Sequence, residues 1–150
     1  MSELITPDFV NLDLDGLDRH EAVRTLAGPL VKAGRVTDLE GFLADVRARE
    51  EQMATGLEGG VGIPHCRSAH VTEATLAVGR SKAGVDFGAS DGPSHLIFLI
   101  AAPASGGQEH MKILSKLARR LVHASFKESL LNAESEEKVS DIVIQEVVNR

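Results

Sequence analysis

One stretch limits the possible folds more than any other: "HLIFLIAAPA", residues 95–104. It is a continuous apolar run without the alternation of a half-wetted strand, the mark of a β-strand buried on both faces. It is too short to cross a bilayer. Something must cover each face, and the flanking sequence offers helices.

"LDRHEAVRTLAGPLVKAG" (17–34) reads as a helix. Asp18 is the candidate N-cap and Glu21 stands at the capping-box position. Val23, Leu26, Ala27, Leu30 and Val31 recur at helical period. Pro29 should bend the helix or mark its last turn, and Gly34 should stop it. A second helix starts from Thr37 or Asp38 and carries Phe42, Val46, Arg49 and Met53 on one face. "VTEATLAVGRS" (71–81) has the mixed alternation of a half-covered strand, and "GVDFGASDGPS" carries turn signals at Gly88, Asp91-Gly92 and Pro93. After the apolar strand, "SGGQEHMKILSKLARRLVHASF" predicts a helix from about Gln108, with Met111, Leu114, Leu117, Ala118, Leu121 and Val122 facing inward. "SEEKVSDIVIQEVVN" predicts a last helix on Val139, Ile142, Val143 and Val147. The expectation is one α/β domain over residues 1–150, in three layers: a mixed sheet of about five strands flanked by helices on both faces.

Composition narrows the partners. The formal net charge is −6 and there is no Trp or Tyr, which argues against nucleic acid. The basic cluster "KLARRL" fits the solvated face of a helix. One Cys suits a reducing compartment, and "MSELITPDF" has no signal-peptide pattern, so a cytoplasmic location is expected. No metal-ligand spacing and no cofactor fingerprint occurs, so neither group is expected.

Chemistry concentrates at "GGVGIPHCRS", residues 59–68. Gly59, Gly60, Gly62 and Pro64 control the backbone just before His65, which suggests an imidazole held at a fixed point. Cys66 is poorly placed to share a proton with it, because neighbours in an extended segment point to opposite sides. His20, His70, His95 and His123 sit at helix ends or beside strands and suit structural or surface roles. His110 falls on the inward face of a helix that begins just past the buried strand, where ligands bind in open α/β sheets and where N–H groups attract phosphate. Arg49 occupies a core-facing phase. One reading gives it an anionic partner; the other lays its stem on apolar surface with the head in water. A neutral imidazole is a good nucleophile, and Arg with a second His suits the charge of a phosphoryl group. The residues alone leave a hydrolase with His65 as general base open.

The segments "LDLDGLDRHEAVRTLAGPLVKAG", "REEQMATGLEGGVGIPHCRS", "GVDFGASDGPSHLIFLIAAPA" and "EHMKILSKLARRL" together resemble the fructose/mannitol-type enzyme IIA domains of the bacterial phosphoenolpyruvate-dependent sugar phosphotransferase system, closest to the fructose subgroup. The resemblance implies a mixed sheet with helices on both sides. It implies that His65 accepts phosphoryl from the phosphohistidine of the carrier HPr and passes it to a cysteine of an enzyme IIB domain, which feeds a IIC membrane permease. By the same matching His110 is the second active-site histidine and Arg49 the active-site arginine. The alternative within the resemblance is a nitrogen-type regulatory enzyme IIA, acting through phosphorylation-dependent protein binding. Two positions depart from the family pattern: Gly62 stands where a small apolar residue such as Ala is usual, and Cys66 where Gly or Ala is usual.

Overall fold

The computed structural model describes residues 3–16, 18–105 and 107–149, with the backbone alone of Gly107, Glu109 and His110. The apolar run forms the strand β6 (Ser94–Pro103), numbered after β1 (Val10–Asn11), β2 (Gly56–Leu57), β3 (Val61–Gly62), β4 (His65–Ser68) and β5 (Thr75–Val85). Leu96 to Ala102 are each at most 2% exposed, so the strand is covered on both faces as its sequence requires.

β6 organises a six-stranded mixed sheet. On one side it pairs antiparallel with β5, which pairs parallel with β1. The other edge of β6 is shared by two strands in succession. β3 runs parallel opposite Leu96 and Ile97, then β4 runs parallel opposite Ile100 to Pro103. β2 closes the edge antiparallel to β3. The count exceeds the expected five because β2 and β3 are two residues each.

Among the described residues five helices cover the two faces: α1 (Arg19–Lys32), α2 (Leu39–Gln52), α3 (Gly107–Leu121), α4 (Ala124–Leu131) and α5 (Glu136–Val143), which continues into a π-helical turn over Ile144–Val148. The capping box of α1 forms on both sides: Glu21 N–H donates to Asp18 Oδ1 at 2.8 Å, and Asp18 N–H to Glu21 Oε1 at 3.1 Å. Pro29 falls in the last turn, where its carbonyl accepts from Ala33 N–H at 3.0 Å. Asp38 caps α2 through Gly41 N–H. All five Phe residues are buried, at 5% exposure or less, in an otherwise aliphatic core.

Two expected helix faces need correction. The buried row of α2 is Phe42, Val46 and Glu50. Arg49 is only half-buried, and Met53, just past the helix end, is 67% exposed. Among the described side chains of α3 only Leu117 and Leu121 are buried. Met111 is 61% exposed, Ala118 is exposed, and Val122 lies beyond the helix at 81%. The chain then turns at His123 into α4, which buries Phe126 and Leu130. Among the described residues no helix is long and apolar enough to cross a membrane.

Candidate functional site

β4 carries His65 on a sheet edge that α2 overlies. Burial alternates along it: His65 half-buried, Cys66 buried, Arg67 exposed, Ser68 buried. Cys66 therefore points away from His65, as extended backbone dictates. Burial, reinforced by the nearby negative charge of Asp45, pushes the Cys66 thiol up to about 12. That is far from the range of a reactive thiolate.

The glycines before His65 serve geometry. Gly59 and Gly60 have φ of 93° and 78°, left-handed values that make the turn between β2 and β3. Gly60 O accepts from His95 N–H at 2.7 Å and from Leu96 N–H at 3.1 Å, docking the turn on the start of β6. Gly62 is a matter of space: a Cβ there would lie 2.8 Å from the Phe87 ring. Pro64 O then accepts from Ile100 N–H at 3.0 Å.

His65 Nδ1 lies 2.7 Å from the carbonyl oxygen of Ile63. A carbonyl can only accept, so the proton sits on Nδ1, and the neutral ring carries its lone pair on Nε2. The Ile63 N–H donates to Thr55 O at 3.1 Å, which ties this short segment to the chain that leaves α2. From the other side, Ser68 Oγ donates to Asp45 Oδ2 at 2.6 Å and accepts from His70 N–H at 3.1 Å, pinning β4 to α2.

His65 lines an open cleft of about 1170 Å³ between α2 and α3. Arg49 and Asp45 come from α2, and Gln108, Met111 and Leu114 from α3. Arg49 makes no hydrogen bond or ion pair among the described residues. His110 lies in the first turn of α3, but its side chain is outside the described residues. The structure thus brings Arg49 and His65 to one cleft. His70 instead lies 3.9 Å from Asp38 across a helix start, and His95 Nδ1 bonds Ser81 O at 3.0 Å. Among the described residues no cluster of three or more His, Cys, Asp or Glu side chains could hold a metal ion.

Sequence reasoning passed over Asp45, Glu50, Thr55 and Ser68. Glu50 had a legible signal: it follows Phe42 and Val46 at intervals of four, so it continues the buried row. Asp45 and Ser68 had none, since their meeting depends on how α2 lies across β4.

The fold and cleft define a class: an α/β protein that presents a strand-borne histidine to a solvent-open groove beside an arginine. The family described as "Phosphoenolpyruvate-dependent sugar phosphotransferase system, EIIA 2" matches residues 3–146. The chain is 39% identical to the PTS system fructose-specific EIIA component of Haloferax volcanii, over 95% of this chain and 94% of that one. It is 35% identical to the fructose-specific EIIABC component of Bacillus subtilis, over 97% of this chain and 23% of that one. In structure it resembles the nitrogen regulatory protein IIA-Ntr of Neisseria meningitidis, with a TM-score of 0.84 and 33% identity over 93% of this chain and 96% of that one. The chain belongs to the EIIA 2 family of the sugar phosphotransferase system. It is a phosphocarrier, a phosphotransferase component that works through a histidine, and the two sequence relatives named above are fructose-specific. The nitrogen-regulatory alternative has a structural likeness behind it, and the sequence relatives favour transport.

Proposed function

We propose that residues 1–150 act as one phosphocarrier domain in which His65 Nε2 takes the phosphoryl group from phospho-HPr and hands it to a cysteine of an enzyme IIB domain, for fructose uptake through a IIC permease at the inner face of the membrane. The observation that carries this reading is Arg49: a half-buried guanidinium with no protein partner among the described residues, on the wall of the cleft that His65 lines. An arginine left unpaired beside a nucleophile suits an incoming dianion, which its planar fork can bind through two N–H groups.

In the forward step the Nε2 lone pair forms the new N–P bond while the donor's N–P bond breaks. The donor imidazole leaves with that electron pair. His65 becomes a phosphoimidazole whose Nδ1–H remains bonded to the Ile63 carbonyl, a dipole that favours the positive ring. Arg49 holds the equatorial oxygens. His110, in the first turn of α3, supplies a further donor, together with the N–H groups of that helix start. Transfer onward reverses the geometry, with a thiolate sulfur as the attacking atom. The Bacillus relative, named for A, B and C components together, supports a IIB partner.

The test is incubation with phosphoenolpyruvate, enzyme I and HPr, read by intact mass. One added, acid-labile phosphoryl is expected on the wild type and none on His65→Ala. Phosphorylation of His65→Ala at the wild-type rate would refute the assignment.

A further inference from the structure

Glu50 is a carboxylate in the wrong place by ordinary rules. It is 8% exposed, and it sits in the last turn of α2, where the helix dipole disfavours negative charge. A buried charge persists only when hydrogen bonds or counter-charges compensate it. Thr55 supplies two: its N–H donates to Glu50 Oε2 at 2.8 Å and its hydroxyl to Oε1 at 2.7 Å. Arg19 approaches Oε2 at 3.7 Å.

Thr55 is itself buried, and its carbonyl receives the Ile63 N–H at 3.1 Å. Ile63 in turn presents the carbonyl that binds His65 Nδ1 at 2.7 Å. Three hydrogen-bonded links thus join the end of α2 to the imidazole. Between Thr55 and Ile63 the chain makes the β2–β3 hairpin, whose two turn glycines give it little rigidity of its own. The buried carboxylate anchors its base. The same anchor sets the phase of α2, because Glu50 inward leaves its neighbour Arg49 turned about 100° away, toward the cleft.

We propose that Glu50 is a positioning residue for phosphoryl transfer: through Thr55 it holds the Ile63 carbonyl that keeps the proton on His65 Nδ1 and the lone pair on Nε2. This rests on His65 being the phosphoryl acceptor. Glu50 touches no reacting atom. It acts by keeping one tautomer populated and by keeping an acceptor on Nδ1–H when the ring becomes cationic.

The variants are Glu50→Gln, which keeps shape and removes charge, and Thr55→Val, which keeps bulk and removes the hydroxyl. Thr55→Ser restores the hydroxyl. Ring-nitrogen NMR reports the His65 tautomer without any transfer taking place. Uptake of phosphoryl from phosphoramidate, followed by intact mass, reports the rate. In folded Glu50→Gln and Thr55→Val the Nδ1–H tautomer should give way to a mixture. Uptake should slow about 10- to 100-fold, by analogy with losing the hydrogen-bond partner that orients a metal-binding histidine. Thr55→Ser should behave as wild type. If both folded variants keep the wild-type tautomer, or if the tautomer changes while uptake does not, the proposal is overturned. Uptake by His65→Ala would instead end the acceptor reading on which it rests, and the two failures are distinguishable because the tautomer is read without phosphoryl donor.

Discussion

At the scale of single residues, Arg49 and Glu50 divide the work that their sequence neighbourhood leaves ambiguous. Adjacent on α2, they face different surroundings: Glu50 into the core with two bonds from Thr55, Arg49 onto the cleft with none among the described residues. That contrast separates stability from function. Arg49→Lys removes no protein contact, so the unfolding free energy should stay within about 0.5 kcal/mol of wild type. Lys offers a point charge rather than a planar fork, and phosphoryl transfer to IIB should slow by roughly 10- to 1,000-fold. Rapid-quench transfer kinetics beside urea unfolding check both halves. Wild-type transfer would make Arg49 a surface residue whose stem merely covers apolar area.

At the scale of elements, legibility followed length and burial. β6 could be read because seven consecutive buried residues, Leu96 to Ala102, leave an unbroken apolar run. β2 and β3 could not, since two residues carry no period. α4 was hidden because neither Gly nor Pro marks the break at His123, so α3 and α4 read as one segment. The sequence of α2 points to a face through Arg49 and Met53, and Glu50 is buried instead against the usual preference for charge outside. At the site, His65 and Arg49 were legible from backbone control and helical phase, whereas the Ser68–Asp45 bond joins residues that only tertiary packing brings together. β3 also accounts for a departure from the family pattern. Gly62 faces the fully buried ring of Phe87, and a Cβ would lie 2.8 Å from Cδ2 and 2.9 Å from Cγ. Gly62→Ala must push that ring or lift β3 from β6, an overpacking that costs about 1–3 kcal/mol. Urea unfolding should show the loss; a neutral result would mean that Phe87 relaxes freely and that Gly62 is not a steric requirement here.

At the scale of the whole molecule, the sheet that carries the site also ties folding to pH through Cys66. The side chain is buried where β4 joins β6, with Cys66 opposite Ala101, and its thiol is pushed up to about 12 by burial first and by Asp45 second. An unfolded thiol titrates near 9. The folded value is the higher one, so the folded state holds its proton where the unfolded chain has lost it. The resulting contribution to stability is complete below pH 9 and is lost as pH rises toward 12. The slope approaches about 1.4 kcal/mol per pH unit in that window. Against a total of roughly 5–15 kcal/mol for a domain, that is enough to move an unfolding midpoint visibly. The chain has no Tyr, and its lysines are common to wild type and variant, so a difference measurement isolates the thiol. Cys66→Ala should be less stable than wild type by about 1 kcal/mol at pH 7, from lost packing. Its stability should then fall more gently than that of the wild type above pH 9, so that the two curves converge and cross. Urea midpoints for both proteins at pH 7, 9, 10 and 11 decide the matter, and parallel curves throughout would show that Cys66 ionises as readily folded as unfolded.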